Sequence, residues 1–197
     1  MHRDSYLPLP QARMGDAHCQ VADASRAERV SADTPAIEVM TDLRRVAAAT
    51  IRPDTPLIEA NQAMILRGVR SLFVLDADGT LLGVITATDL FGEAPIRLAN
   101  QRGGVAADLT VRDVMTPLDR VEAVSLDDVL KSEVGHVAAT LKRSGRQHLL
   151  VVQRAPDGST LIRGLFSASQ VARQLGVAMP TGLIASTFAE IEAALAA

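Results

Sequence analysis

Apolar and polar positions follow one scheme from residue 50 to residue 90. Thr50-Ile51 is a short extended piece. Asp54-Thr55-Pro56 reads as a helix start, a capping side chain followed by Pro at the first helical position. Leu57, Ala60, Met64 and Ile65 then recur at helical spacing, and Gly68 ends the run. Leu72-Phe73-Val74-Leu75 is apolar throughout, as a buried strand would be. Asp76-Ala77-Asp78-Gly79 predicts a turn, and Leu81 to Thr86 a second strand. Thr88-Asp89 opens another helix. The unit is β-α-β-β-α.

The scheme occurs again further along. EVMTDLRRV begins at Glu38 and DVMTPLDRV at Asp113, with six of nine places identical. Gly68 falls on Gly145, Leu72 on Leu149 and Val74 on Val151. SLFVLD (71–76) lies over HLLVVQ (148–153), and GVITATDL (83–90) over GLFSASQV (164–171). The second copy carries an insertion within LDDVLK (126–131) and a longer hairpin turn, RAPDGSTL (154–161). The predicted divisions are a mobile segment 1–35, repeat one at 36–94, a linker helix in 95–110, repeat two at 111–176 and a tail 177–197. Within that tail STFAEIEAALAA (186–197) reads as a capped helix, striped by Phe188, Ile191 and Leu195.

A unit of roughly 60 residues is marginal alone. Two such units can bury their apolar sheet faces on each other. The expected fold is therefore α+β, two β-α-β-β-α repeats packed sheet to sheet with pseudo-twofold symmetry. A cleft should run along the seam.

Composition narrows the function. The chain has 197 residues, 48% apolar and 22% charged, with 3% aromatics and no Trp. A net charge of -3 and few rings argue against nucleic acid as a partner. Cys19 is the only cysteine, so no internal disulfide framework or zinc cluster is available. The N-terminus lacks a signal-peptide core, and no apolar run approaches a membrane span. A cytoplasmic protein without membrane association is expected. No metal-binding, phosphate-loop or nucleophile motif is present, so catalysis is not expected. His148, at the start of a strand, reads as a structural histidine.

These segments resemble a CBS-domain pair, also called a Bateman module. The family pattern has an extended lead around V-M-T, a capped helix, an apolar strand ending in Asp, a D-G turn and then G-h-h-T/S-x-x-D, with h apolar. The first copy supplies VMT (39–41), TPLIEANQAM (55–64), SLFVLDADG (71–79) and GVITATD (83–89). The second supplies VMT (114–116), HLLVV (148–152) and GLFSAS (164–169). The resemblance implies a regulatory module that senses an adenosine compound, AMP, ADP, ATP or S-adenosylmethionine, in the seam. It also implies a homodimer. With no effector domain visible in the sequence, such a module would act on a separate effector protein. A ligand-free dimerisation or scaffolding module is the alternative.

The candidate site centres on Thr86 to Asp89, where a strand gives way to a helix. The hydroxyls of Thr86 and Thr88 can donate to a phosphate, and Asp89 can accept from both hydroxyls of a ribose. The resemblance assigns the same roles. Capping of the helix by the same residues is the competing reading. In the fold that the resemblance implies, Thr50, Ile51, Arg70, Ser71 and Leu72 lie beside that cleft and Ile85 lines the pocket, although core packing is the favoured reading of each apolar residue, with binding an added role. In the second copy Ser167 and Ser169 persist, but Gln170 replaces the acid. An amide carries donors beside its one acceptor, so the grip on a diol is lost. That site should be weak, altered or empty, although a phosphate could still sit at Ser167.

Overall fold

The computed structural model describes residue 11 and residues 30–105 and 108–176. The expectations for residues 1–10, 12–29 and 177–197, the capped helix included, lie outside the described residues. The strands are β1 (Thr41–Asp42), β2 (Thr50–Ile51), β3 (Ser71–Leu75), β4 (Leu81–Thr86), β5 (Thr116–Pro117), β6 (Ala123–Ser125), β7 (His148–Arg154) and β8 (Thr160–Ser167). The helices are α1 (Leu57–Arg67), α2 (Ala87–Phe91), α3 (Glu93–Arg102), α4 (Val111–Val114), α5 (Leu126–Val129), α6 (Val134–Ser144) and α7 (Ala168–Gln174). Both predicted β-α-β-β-α units are present, and the insertion at 126–131 contains α5.

The strands form two four-stranded sheets, ordered β2-β3-β4-β5 and β1-β8-β7-β6. The two V-M-T leads are exchanged. The lead before repeat one gives β1, which pairs with β8 of repeat two, Thr41 opposite Leu165. The lead before repeat two gives β5, which pairs with β4 of repeat one, Thr116 opposite Val84. The glycine that opens each G-h-h-T/S motif makes this approach possible. A Cβ on Gly164 would stand 2.7 Å from the Thr41 carbonyl oxygen, and one on Gly83 would collide with the Thr116 carbonyl. Asp42 and Arg163 form a two-pronged ion pair across β1 and β8, with one contact at 2.9 Å.

Strand alternation sorts the apolar residues into three layers. Leu72, Val74 and Ile85 pack with Ala60, Met64 and Val111 on the outer face of the first sheet. Leu149, Val151 and Phe166 pack with Val134, Leu141 and Val171 on the outer face of the second. Between the sheets lie Phe73, Val84 and Leu150, with Leu165 and Val121 against them. Phe73 pairs with Leu150 and Val84 with Leu165 under the repeat correspondence, so the seam carries the pseudo-twofold axis.

The helix starts differ from expectation. Pro56 occupies the N-cap of α1 and no side chain caps it. The Leu57 N–H instead donates to the Leu109 carbonyl at 3.3 Å. The equivalent donors of α6, on Val134 and Gly135, reach the Thr34 and Ala32 carbonyls, both at 2.9 Å. Residues 30–35 are thus held against repeat two. The predicted stop at Gly68 is present. Gly68, Gly103 and Gly145 end α1, α3 and α6 in the left-handed conformation. His136 accepts from the Glu133 N–H through Nδ1 at 3.2 Å and so serves the start of α6.

Candidate functional site

The seam holds two cavities, one at each strand–helix junction. The first has a volume of about 210 Å³ and is lined by Thr86, Thr88 and Asp89 of repeat one. Val84, Val121 and Leu150 form its apolar wall, and Glu122 and Gly145 to His148 of repeat two close it. The second, about 370 Å³, is lined by Ser167, Ser169 and Gln170 of repeat two with Gly68 to Ser71 of repeat one. Each cavity therefore joins the junction of one repeat to the helix-ending turn of the other.

This crossing corrects the grouping expected from the sequence. Arg70 and Ser71 lie in the second cavity, away from Asp89. Leu72 and Ile85 are 0% exposed and belong to the outer core of the first sheet. Val84, one residue from Ile85, faces the seam in its place, because successive strand residues point to opposite faces. Ile51 packs in the same outer cluster, and Thr50 pairs with Phe73 while its carbonyl accepts from Arg67 at 2.9 Å. Neither lines either of the two cavities.

Asp89 has a structural duty. Its Oδ2 accepts from the N–H and the hydroxyl of Thr86, both at 2.7 Å. The Asp89 N–H returns to the Thr86 hydroxyl oxygen at 3.4 Å. This is a capping box at the start of α2. Thr86 thus gives its hydroxyl proton to the carboxylate and has none left for a phosphate. The Oδ1 of Asp89 and the Thr88 hydroxyl have no hydrogen-bond partner among the described residues. In the second cavity the Thr41 hydroxyl donates to the Gln170 carbonyl at 3.0 Å, and the Ser167 and Ser169 hydroxyls bond each other at 2.9 Å.

His148 lines both cavities. Its Nδ1 is buried and has no hydrogen-bond partner among the described residues. Burial, and secondarily the nearby Arg70 cation, lower its pKa to about 4, so the imidazole is neutral at pH 7. The sequence reading treated it as structural. Its place in the apolar strand pattern gave no sign that it stood between two cavities. Glu122, just before β6, and Arg146 and Gln147, in the turn after α6, were missed because these segments become walls of the Asp89 cavity only once the sheets face each other. No group of three or more His, Cys, Asp and Glu side chains among the described residues could hold a metal. No described helix is long and apolar enough to cross a membrane.

Residues 36–95 match the family model of the CBS domain. No curated protein matches the sequence. Among solved structures, a conserved protein from Pyrococcus horikoshii is 22% identical, with 77% of this chain and 99% of that one covered and a TM-score of 0.52. A CBS-domain containing protein from Agrobacterium tumefaciens is 20% identical, with 73% and 94% covered and a TM-score of 0.51. CBSX2 of Arabidopsis thaliana, solved in complex with AMP, is 23% identical over 72% and 94%, with a TM-score of 0.48. Residues 36–95 thus carry a CBS domain, and the two-sheet fold of the chain is shared with the Pyrococcus horikoshii and Agrobacterium tumefaciens proteins.

Proposed function

We propose that the protein is a regulatory module that binds an adenosine compound in the Asp89 cavity. The observation that carries this reading is a carboxylate with one oxygen unpartnered among the described residues, set in a cavity with an apolar wall between the two repeats. Asp89 Oδ1 accepts from the ribose hydroxyls. Val84, Val121 and Leu150 meet the base, and the Thr88 hydroxyl and Arg146 meet the polar substituent at the 5′ carbon. Glu122 and Asp89 place two carboxylates against the single Arg146 guanidinium, an arrangement that favours AMP or S-adenosylmethionine over ADP and ATP. Because both repeats supply walls, a bound ligand favours one placement of the sheets over others. The change is passed to a separate effector protein, with the module acting as a homodimer.

Calorimetry with AMP, ADP, ATP and S-adenosylmethionine tests this. One site per chain is expected, with thermal stabilisation of about 2.7 kcal/mol at a hundredfold over Kd. Asp89→Asn should abolish binding and leave the fold intact. Two equal strong sites per chain would contradict the reading. The second reading, a scaffold that binds nothing, draws on the capping box, which satisfies Thr86 and half of Asp89 without a ligand. Absence of any thermal shift at millimolar nucleotide would favour it.

A further inference from the structure

A third cavity lies on the flank of repeat two. Its volume is about 690 Å³, within the roughly 300–1,000 Å³ of small-molecule sites. Ile37, Met40 and Leu126 in its lining pack in the outer core of the second sheet, so it opens on the side away from the seam. It borders the second seam cavity at Thr41, Val46 and Gln170, where the Thr41 hydroxyl donates to the Gln170 carbonyl. One wall is α5, the helix inserted in repeat two, which contributes Leu126 and the exposed Leu130. Another is the exchanged lead around β1.

Four charged side chains line this cavity, Glu38, Asp42, Arg45 and Arg163, two of each sign. Asp42 and Arg163 satisfy each other through their two-pronged pair, and the hydrogen bond from Arg163 holds the Asp42 carboxyl below the usual range. The side chains of Glu38 and Arg45 make no hydrogen bond or ion pair with any described residue. The equivalent places of repeat one are built differently. Pro117 and Leu82 stand where repeat two has Asp42 and Arg163. Asp113, the counterpart of Glu38, accepts from Thr110 and pairs with Arg102 at 2.8 Å. Repeat two thus presents an unengaged acid and an unengaged base beside aliphatic side chains.

The balance of charge narrows the ligand. A phosphorylated molecule would face two carboxylates, and a polyamine two guanidiniums. The described lining has no ring on which a nucleobase could stack. A zwitterion with a branched aliphatic side chain satisfies both free charges and covers the leucines of α5. We propose that this cavity binds an aliphatic α-amino acid, its carboxylate on Arg45, its ammonium on Glu38 and its side chain against Val46, Leu126 and Leu130. Such a ligand bridges the exchanged lead and α5, and so fixes the strand that repeat two borrows. This goes beyond the adenosine reading and does not depend on it.

L-Leucine is the probe, titrated into the full chain while amide and methyl resonances are followed by NMR. Saturable shifts are expected at Glu38, Arg45, Leu126 and Leu130. Arg45→Gln and Glu38→Gln, both at exposed side chains, should each weaken binding about tenfold, one decade in Kd. Isocaproate, which lacks the ammonium, should bind at least about tenfold more weakly than leucine. Arg97→Gln, on α3 of repeat one, should leave leucine binding unchanged. No saturable shift of the wild-type chain at millimolar leucine would overturn the proposal. So would shifts confined to Ser167 to Ser169 or to Thr86 to Asp89, or equal affinity for isocaproate. Asp89→Asn should leave leucine binding intact, so this proposal and the adenosine reading fail separately.

Discussion

The junctions TATD and SASQ occupy equivalent places in two copies of one fold, yet they close in different ways. In the first, Asp89 bonds to its own helix start through Thr86. In the second, Gln170 bonds across the seam to Thr41 on the exchanged strand β1. One acid-to-amide difference thus moves a tether from within a repeat to between repeats. It also removes the carboxylate that dominates the first cavity. Duplication preserves the backbone, because sheet pairing and glycine contacts depend on it. The electrostatic character of each cavity is free to diverge at a few side chains.

The largest expected effect tests the symmetry itself. Gly83→Val and Gly164→Val should each cost about 3 kcal/mol in urea unfolding, since each side chain would be driven into an exchanged strand. Tolerance of either would break the twofold description. Next comes reciprocal exchange at the junctions. Asp89→Gln should reduce affinity for adenosine compounds about a hundredfold, whereas Gln170→Asp should leave it as in the wild type. Equal effects of the two changes would erase the distinction between the cavities.

His148 gives a third measurement, in pH. Its pKa lies near 4 in the folded chain against an ordinary 6.5. As pH falls the unfolded chain takes up the proton first, so stability is lost through pH 6.5 and the loss levels off below about 4. Between pH 7.5 and pH 5 the loss should be about 2 kcal/mol, and His148→Gln should remove it. The smallest effect separates the helix starts. Ser125 accepts from the Asp128 N–H at 3.1 Å, so Ser125→Ala should cost about 1 kcal/mol. Thr55→Ala, at a helix with no side-chain cap, should cost only a few tenths of that on thermal unfolding.

The repeat scheme was legible because the apolar period and the left-handed glycine stops are local properties. Phe73, Val84 and Leu150 show where such reading ends. In continuous apolar runs like LFVL and GVI, alternation assigns opposite faces but does not say which face meets the other sheet. Ile85, offered as a pocket residue with core packing the favoured reading, lies in the outer core, and Val84 faces the seam. The placement of Arg70 opposite Ser167 was hidden for a different reason. It follows from how two repeats cross, a relation between segments roughly a hundred positions apart that no window of sequence contains. The helix cap at Asp54-Thr55 failed because the Leu109 backbone took the donor that a side chain would otherwise have satisfied.

The traded leads have a practical corollary for anyone dissecting the molecule. A fragment cut between the halves, at the glycines after α3, would carry β1 without its β8 and present β4 with a bare edge where β5 belongs. Such pieces should be sticky when expressed singly and should reassociate when mixed. The same logic allows two intact chains to lend each other their leads.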